Sequence, residues 1–238
     1  MIDRIGFAAE LAAYTESHGP VTIGLAGAGQ MGTDIVVQTA LMTGVRVGAI
    51  AANGPRRPLE AIAMAGYAED HGVLAASPSA IDAAIEAGRI AVTDDIAALC
   101  ASGRVDVIVD ATGSPEIGTR LALLAIENGK HIVMLNVEAD ITVGRLLARK
   151  AKAAGTVYTG SAGDEPAATL ELIAFAQTLG MEVVAAGKGK NNPLRHDAVP
   201  EEYEAEALSR NMNARMLVEF IDGSKTMVEM TAIANSTG

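Results

Sequence analysis

A doubly wound α/β fold, a parallel sheet with helices on both faces, followed by a smaller α+β unit, is what this sequence predicts. Three observations predict it. Residues 21 to 32, VTIGLAGAGQMG, run from a β-prone stretch through a glycine-rich corner straight into a helical pattern. Short Val- and Ile-rich runs then alternate with helical stretches along the chain, the rhythm of βαβ units. Half of the residues are hydrophobic while aromatics make up 3% and Trp is missing, so the core is aliphatic, as buried parallel sheets are. A chain of 238 residues has room for one large and one small domain at roughly 100 to 200 residues each, and the order of motifs places them at 1–162 and 163–238.

Residues 1–18 read as an amphipathic helix docked on the first domain, with Gly19-Pro20 as its stop. Asp3, Arg4 and Glu10 interrupt any apolar run there, which excludes a signal peptide and a membrane span. The strand 21–26 then meets Gly27-Ala28-Gly29-Gln30-Met31-Gly32, a GxGxxG pattern in the strand-to-helix setting it needs. Gly27 permits the tight turn, Gly29 lets a pyrophosphate approach the backbone, and Gly32 lets the helix pack close to the strand. The free N–H groups and dipole at the start of a helix over 30–43 favour the negative charge. Together these describe a Rossmann dinucleotide site.

Residues 45–51 give a second strand, followed by Asn53-Gly54-Pro55-Arg56-Arg57. An NAD site places an acidic residue about 20 positions after the glycines for the ribose hydroxyls, whereas an NADP site supplies Arg for the extra phosphate. No Asp or Glu stands between Asp34 and Glu60, so Asn53, Arg56 and Arg57 predict NADP(H) in preference to NAD(H). A helix over 58–68, an irregular piece around His71-Gly72 and a helix started by Ser77-Pro78 lead to a third strand near 90–93. Thr93-Asp94-Asp95 caps a helix over 95–102, residues 104–110 give the fourth strand, and Asp110-Ala111-Thr112-Gly113-Ser114-Pro115 opens a helix to Asn128-Gly129. Ligands in such sheets gather at the carboxyl ends of the strands, so Ala111, Thr112 and Gly113 are expected along the nicotinamide.

The fifth strand, 131–135, ends in Asn136-Val137-Glu138, and the sixth, 156–159, ends in Gly163-Asp164-Glu165-Pro166. Such carboxylates suit a divalent metal held by oxygen ligands, acid–base chemistry, or simple dipole pairing in a first helical turn. A seventh strand over 181–186 leads into Gly187-Lys188-Gly189-Lys190-Asn191-Asn192, where glycines let a lysine reach a phosphate, carboxylate or carbonyl as anion holder or proton donor. A helix over 200–213 and a hairpin of 215–221 with 225–230 around Asp222-Gly223-Ser224 complete the second unit. The net charge of −11 at pH 7 without a basic block argues against a nucleic-acid partner. The single cysteine, Cys100, rules out an internal disulfide and fits a cytoplasmic setting.

GLAGAGQMG, DATGSPE, NVEAD, SAGDEP and GKGKNN, in this order, resemble the homoserine dehydrogenase-like oxidoreductases, nearest the deoxyxylulose-phosphate reductoisomerase-like branch. The resemblance implies an NADPH-binding Rossmann domain, a substrate domain whose mixed sheet supports a homodimer, and a small polar carbonyl or hydroxy substrate. For the reductoisomerase-like members it also implies rearrangement of a sugar phosphate, helped by Mg or Mn, before hydride reduction. Carried onto this chain, Gly27, Gly29, Gln30, Met31 and Gly32 would hold the pyrophosphate, with Asn53, Arg56 and Arg57 near the 2′-phosphate. Ala111, Thr112, Gly113, Asn136 and Glu138 would lie along the nicotinamide. Asp164 and Glu165 would hold the metal, and Glu165, Lys188, Lys190 and Asn191 would serve catalysis. Plain homoserine or aldehyde oxidoreduction without rearrangement, and a cofactor-binding regulator or fragment without activity, stay open beside it. The family's chains run well beyond residue 238, so the resemblance also implies a piece of a longer enzyme.

Overall fold

The computed structural model describes residues 4–210 and 212–238. Seven strands, β1 (Val21–Ala26), β2 (Val45–Ala51), β3 (Gly72–Leu74), β4 (Ile90–Thr93), β5 (Val107–Asp110), β6 (His131–Met134) and β7 (Tyr158–Gly160), form one sheet in the order β3-β4-β2-β1-β5-β6-β7. The pairings of β1 with β2 and β5, of β4 with β2 and β3, and of β5 with β6 are all parallel. The connecting helices are α1 (Phe7–His18), α2 (Gln30–Thr39), α3 (Arg56–Met64), α4 (Pro78–Glu86), α5 (Ile96–Ala101), α6 (Pro115–Glu127) and α7 (Val137–Ala154). Leu25, Val36, Ile50, Ile62, Val92 and Val109 pack one side of the core, the aliphatic burial expected of a sheet covered on both faces. Strand order reverses between β1 and β5, and this switch point is where open α/β sheets bind their ligands.

The chain divides into two units. One runs up to Ala139 and adds Leu146–Thr159; the other is Asp140–Arg145 with Gly160–Gly238. The second unit holds α8 (Glu165–Thr178), a 3-10 turn (Pro200–Tyr203), α9 (Glu204–Ser209), α10 (Ala214–Asp222) and α11 (Ser224–Thr237). Among the described residues no helix is long and apolar enough to cross a membrane.

Several expectations need correction. The N-terminal helix begins at Phe7, buries no residue, and leaves Phe7 and Tyr14 exposed, although Leu11 and Thr15 close over Gly44. The expected residues 1–3 of that helix lie outside the described residues. The piece after His71 is an additional edge strand, β3, paired with β4. Helix α3 starts earlier than predicted, at Arg56. Among its described residues the second unit is helical, not α+β. Residues 181–186 form no strand, since among the described residues no neighbouring strand is there to pair their backbone. In place of the hairpin stand α10 and α11, joined by Gly223 in the left-handed region at φ +87°. Asp-Gly signals a hairpin turn only when strands flank it; here Asn213 caps α10 and the buried Glu229, Ala232 and Ile233 of α11 recur at helical spacing. The predicted 200–213 helix is the 3-10 turn plus α9, and its residue 211 lies outside the described residues.

Predicted start signals hold where a side chain caps the helix. Ser77 accepts from Ala80 N–H at 3.2 Å, Asp95 from Ala97 N–H at 2.8 Å and Ser114 from Ile117 N–H at 3.4 Å. Cys100 is fully buried on α5, and burial pushes its thiol up to about 12.

A polar clamp at Asp82 ties α4 to the turn after α5. Its carboxylate accepts from Ser102 Oγ at 2.6 Å, Arg104 N–H at 3.1 Å and Gly103 N–H at 3.2 Å. Burial works to raise this carboxyl, but those donors and the Arg104 charge outweigh it and hold it below the ordinary 3.8. A lowered carboxyl gives stability that is complete above its ordinary value and lost as pH falls through the folded one. Asp82→Ala should therefore cost about 2 kcal/mol in urea unfolding at pH 7, and the gap from wild type should narrow as the acid limb is entered below pH 3.8.

Candidate functional site

Two clusters hold the candidate site residues, one in each unit. In the first unit β1 ends at Ala26, and Gly27 turns the chain at φ +102°. A Cβ on Gly27 would stand 2.4 Å from the carbonyl oxygen of Ala111, and one on Gly32 would stand 2.2 Å from the carbonyl oxygen of Gly27. Both distances are far inside contact, so these two glycines let the first corner, the β5 loop and α2 close on one another. Gly29 differs: nothing lies within 4 Å of where its Cβ would stand. It is the N-cap of α2 and offers no side chain to the helix, whose first N–H groups are therefore left to an anion. Gln30 and Met31 are exposed on that first turn. A pyrophosphate fits this cradle, because the backbone is reachable only while position 29 lacks a side chain.

Past the carboxyl end of β2, Asn53, Arg56 and Arg57 are exposed. Arg56 forms an i,i+4 pair with Glu60 at 3.5 Å, with 84% of its side chain in solvent, so the pair holds it loosely. Helix α3 begins there without a side-chain cap.

At the end of β5 a buried network fixes Ala111–Gly113. Asp110 accepts from Thr112 N–H at 2.9 Å and Thr112 Oγ1 at 2.7 Å. Asn136, 1% exposed, donates from Nδ2 to Asp110 Oδ2 at 3.0 Å and to the Ser114 carbonyl at 2.8 Å, while its Oδ1 accepts Ala139 N–H at 3.1 Å and caps α7. Asn136 thus spends its amide on Asp110, the Ser114 carbonyl and the start of α7, and so holds the Ala111–Gly113 loop in place. Burial raises the Asp110 carboxyl, partly offset by Thr112 and Asn136. Gly118 on α6 leaves room for this pair: a Cβ there would stand 2.3 Å from Asp110 Oδ2 and 2.5 Å from Asn136 Nδ2.

In the second unit α8 opens with Asp164 as N-cap, accepting Glu165 N–H at 3.0 Å. Lys188 Nζ lies 2.8 Å from Glu165 Oε1 and against Glu229 Oε2. Glu229, on α11, is 2% exposed. One carboxylate oxygen from each of Asp164, Glu165 and Glu229 lies within 4.8 Å of the others, an oxygen set that suits Mg²⁺ or Mn²⁺. The hydrogen bond from Lys188, then that with Asp164, draws the Glu165 carboxyl down to about 2. Desolvation, then Glu165, raises that of Asp164. Desolvation of Lys188 works to lower its ammonium, but the two glutamates outweigh it and keep it raised.

Sequence reading missed Glu229. The signal is there: a charge on the face of α11 that Ala232 and Ile233 share at helical spacing. Lys190 does not join the cluster. Its Nζ donates to the Phe220 carbonyl at 2.7 Å and sits 5.8 Å above the Phe220 ring. Arg195 N–H donates to the Ile221 carbonyl and the His196 ring bonds the Asp222 carbonyl, both at 3.0 Å. These three donors cap the end of α10. Asn191 is exposed beside them. Glu138 stands in the first turn of α7.

Comparison with known proteins gives matches in both units. A family model described as homoserine dehydrogenase, NAD binding domain, matches residues 27–159, and one described as oxidoreductase DRL, catalytic domain, matches residues 163–238. A homoserine dehydrogenase from Methylobacillus glycogenes is 40% identical over 52 residues, covering 22% of this chain and 13% of that protein. An NAD binding oxidoreductase from Klebsiella pneumoniae is 18% identical, with a TM-score of 0.47 over 68% of this chain and 39% of its own. The 1-deoxy-D-xylulose 5-phosphate reductoisomerase from Zymomonas mobilis, in complex with NADPH, is 23% identical, with a TM-score of 0.40 over 59% of this chain and 38% of its own. The chain thus spans well under half the length of these relatives.

The Gly118 contact yields a direct test. Gly118→Ala should destabilise by about 2 to 3 kcal/mol through forced separation of Asp110 and Asn136, read as a lower urea midpoint at unchanged slope.

Proposed function

The chain belongs to the family of the homoserine dehydrogenase NAD-binding domain, and from that premise we propose that it is part of an NADPH-dependent oxidoreductase acting on a small polar carbonyl or hydroxy compound. The observation that carries this is the corner at the switch point, where Gly27 and Gly32 permit contact and Gly29 leaves the start of α2 open. Gly27, Gly29, Gln30, Met31 and Gly32 would bind the pyrophosphate through main-chain N–H groups. Arg56 and Arg57, with Asn53, would meet the 2′-phosphate, a reading supported by their exposure and by the missing acidic residue after β2. Ala111, Thr112 and Gly113 would line the nicotinamide side, with Glu138 on the same edge. Asn136 is assigned a positioning role. When bound, the dinucleotide supplies or takes the hydride.

In the second unit Asp164 and Glu165, joined by Glu229, would hold a divalent metal, which supplies Lewis-acid polarisation of a substrate oxygen. Lys188 keeps its charge securely at neutral pH, which suits an anion holder that neutralises a developing oxyanion better than a proton donor. Lys190 and Asn191 would act by shaping the segment that carries Lys188. The match of residues 163–238 to the oxidoreductase DRL catalytic domain supports reductoisomerase-type chemistry on a sugar phosphate, which needs the metal. Homoserine-type oxidoreduction without rearrangement is the alternative, and one observation favours it: an ammonium already stands among the carboxylates.

Thermal shift decides the cofactor, since a ligand of the native state raises apparent stability. NADPH should raise Tm more than NADH, Gly29→Val should abolish both shifts, and Arg56→Ala with Arg57→Ala should weaken NADPH about 10-fold or more while sparing NADH. An equal response to the two nucleotides would remove the arginine assignment. Lys188→Ala should cut turnover of any substrate found by screening with and without Mg²⁺ by about 100-fold, with the NADPH shift preserved.

A further inference from the structure

We propose that the Lys188 ammonium is the resident counter-ion of the Asp164, Glu165 and Glu229 carboxylates, and that a divalent cation enters this cluster only by displacing it. The inference rests on the reading above that these carboxylates can bind metal, and it adds that metal and lysine exclude each other. Glu229 is 2% exposed and its Oε2 stands against the Lys188 ammonium, so the Lys188 charge is what meets it. Without that partner a buried carboxylate would stand uncompensated, which native structures avoid. Lys188 also takes Glu165 Oε1 at 2.8 Å, so the ammonium holds one oxygen from each of two candidate ligands. A divalent cation bonds such oxygens at about 2.0 to 2.6 Å, closer than the roughly 2.7 to 2.9 Å of an ammonium, and competes for the same carboxylates. Two cations on those oxygens would also repel each other at contact range.

The mounting of the four groups says which one yields. Asp164 and Glu165 begin α8 and Glu229 is set in α11, so the carboxylates are fixed by helices. Lys188 sits between Gly187 and Gly189 in a stretch outside any helix or strand, with nothing within 4 Å of where a Cβ on Gly189 would stand. A long side chain on such a backbone can withdraw while the oxygens stay in place. Metal loading would then release a protonated lysine, turning a structural ion pair into a free cation.

The test is Mn²⁺ affinity, read from the EPR signal of free Mn²⁺ with the full chain. Lys188→Met should bind Mn²⁺ about 10-fold more tightly than wild type, Lys150→Met on the exposed face of α7 should match wild type, and Glu229→Gln should bind more weakly. If wild type binds Mn²⁺ and Lys188→Met binds it no more tightly, displacement is overturned while the metal site stands. If neither binds Mn²⁺, both fall, and the NADPH reading is judged on its own thermal shift. Should Lys188→Met fail to fold, wild type alone decides: reductive methylation of Lys188, followed by mass spectrometry, should speed up several-fold at saturating Mg²⁺. An unchanged or slower rate would overturn the proposal.

Discussion

The first domain hangs on the close approach of two carbonyl groups to positions that carry no side chain. The Ala111 carbonyl presses on Gly27 and the Gly27 carbonyl presses on Gly32, so the ends of β1 and β5 and the start of α2 meet at one point. That point coincides with the reversal of strand order in the sheet. Because the backbone is already in contact there, α2 cannot shift along β1 without a clash, and the direction of its first N–H groups is fixed. Pre-orientation of this sort lowers the ordering cost of binding. The buried Asp110–Asn136 network does the same for the β5 loop, from beneath.

Two buried carboxylates, Asp110 and Glu229, show two ways of meeting one electrostatic problem. Asp110 is surrounded by neutral donors from Thr112 and Asn136, and its carboxyl is raised by burial. Glu229 is matched with an ammonium. Neutral donors fix a geometry and leave little to exchange, whereas a charge partner on a glycine-flanked segment can be traded for another cation. The first arrangement suits a scaffold, and the second is the one on which the proposed metal exchange rests.

Much of the first domain was legible because its signals are local. The glycine corner, the β-branched runs and the Ser-Pro and Asp caps each act within a few residues, and the strands they bound are present at 21–26, 45–51, 90–93 and 107–110. β3 escaped because three residues, Gly72–Leu74, give no alternation to detect, and its pairing with β4 is a tertiary fact. In the second unit β propensity misled: Met216–Ile221 and Thr226–Met230 are rich in residues that favour strands, but their burial follows helical spacing. The same error hid Glu229, whose approach to Glu165 requires α11 to be a helix. Lys188 and Lys190 look equivalent in sequence, and only the folded chain separates a cluster member from a helix cap.

Cys100 lies fully buried on α5 with its thiol pushed up to about 12, and it is the one sulfhydryl in the chain. A thiolate is the reactive form, so at neutral pH this sulfur is both shielded and protonated until the surrounding helices part. Its rate of modification by a disulfide reagent then becomes a clock for opening of the first domain, supplied by the native sequence and needing no engineered label.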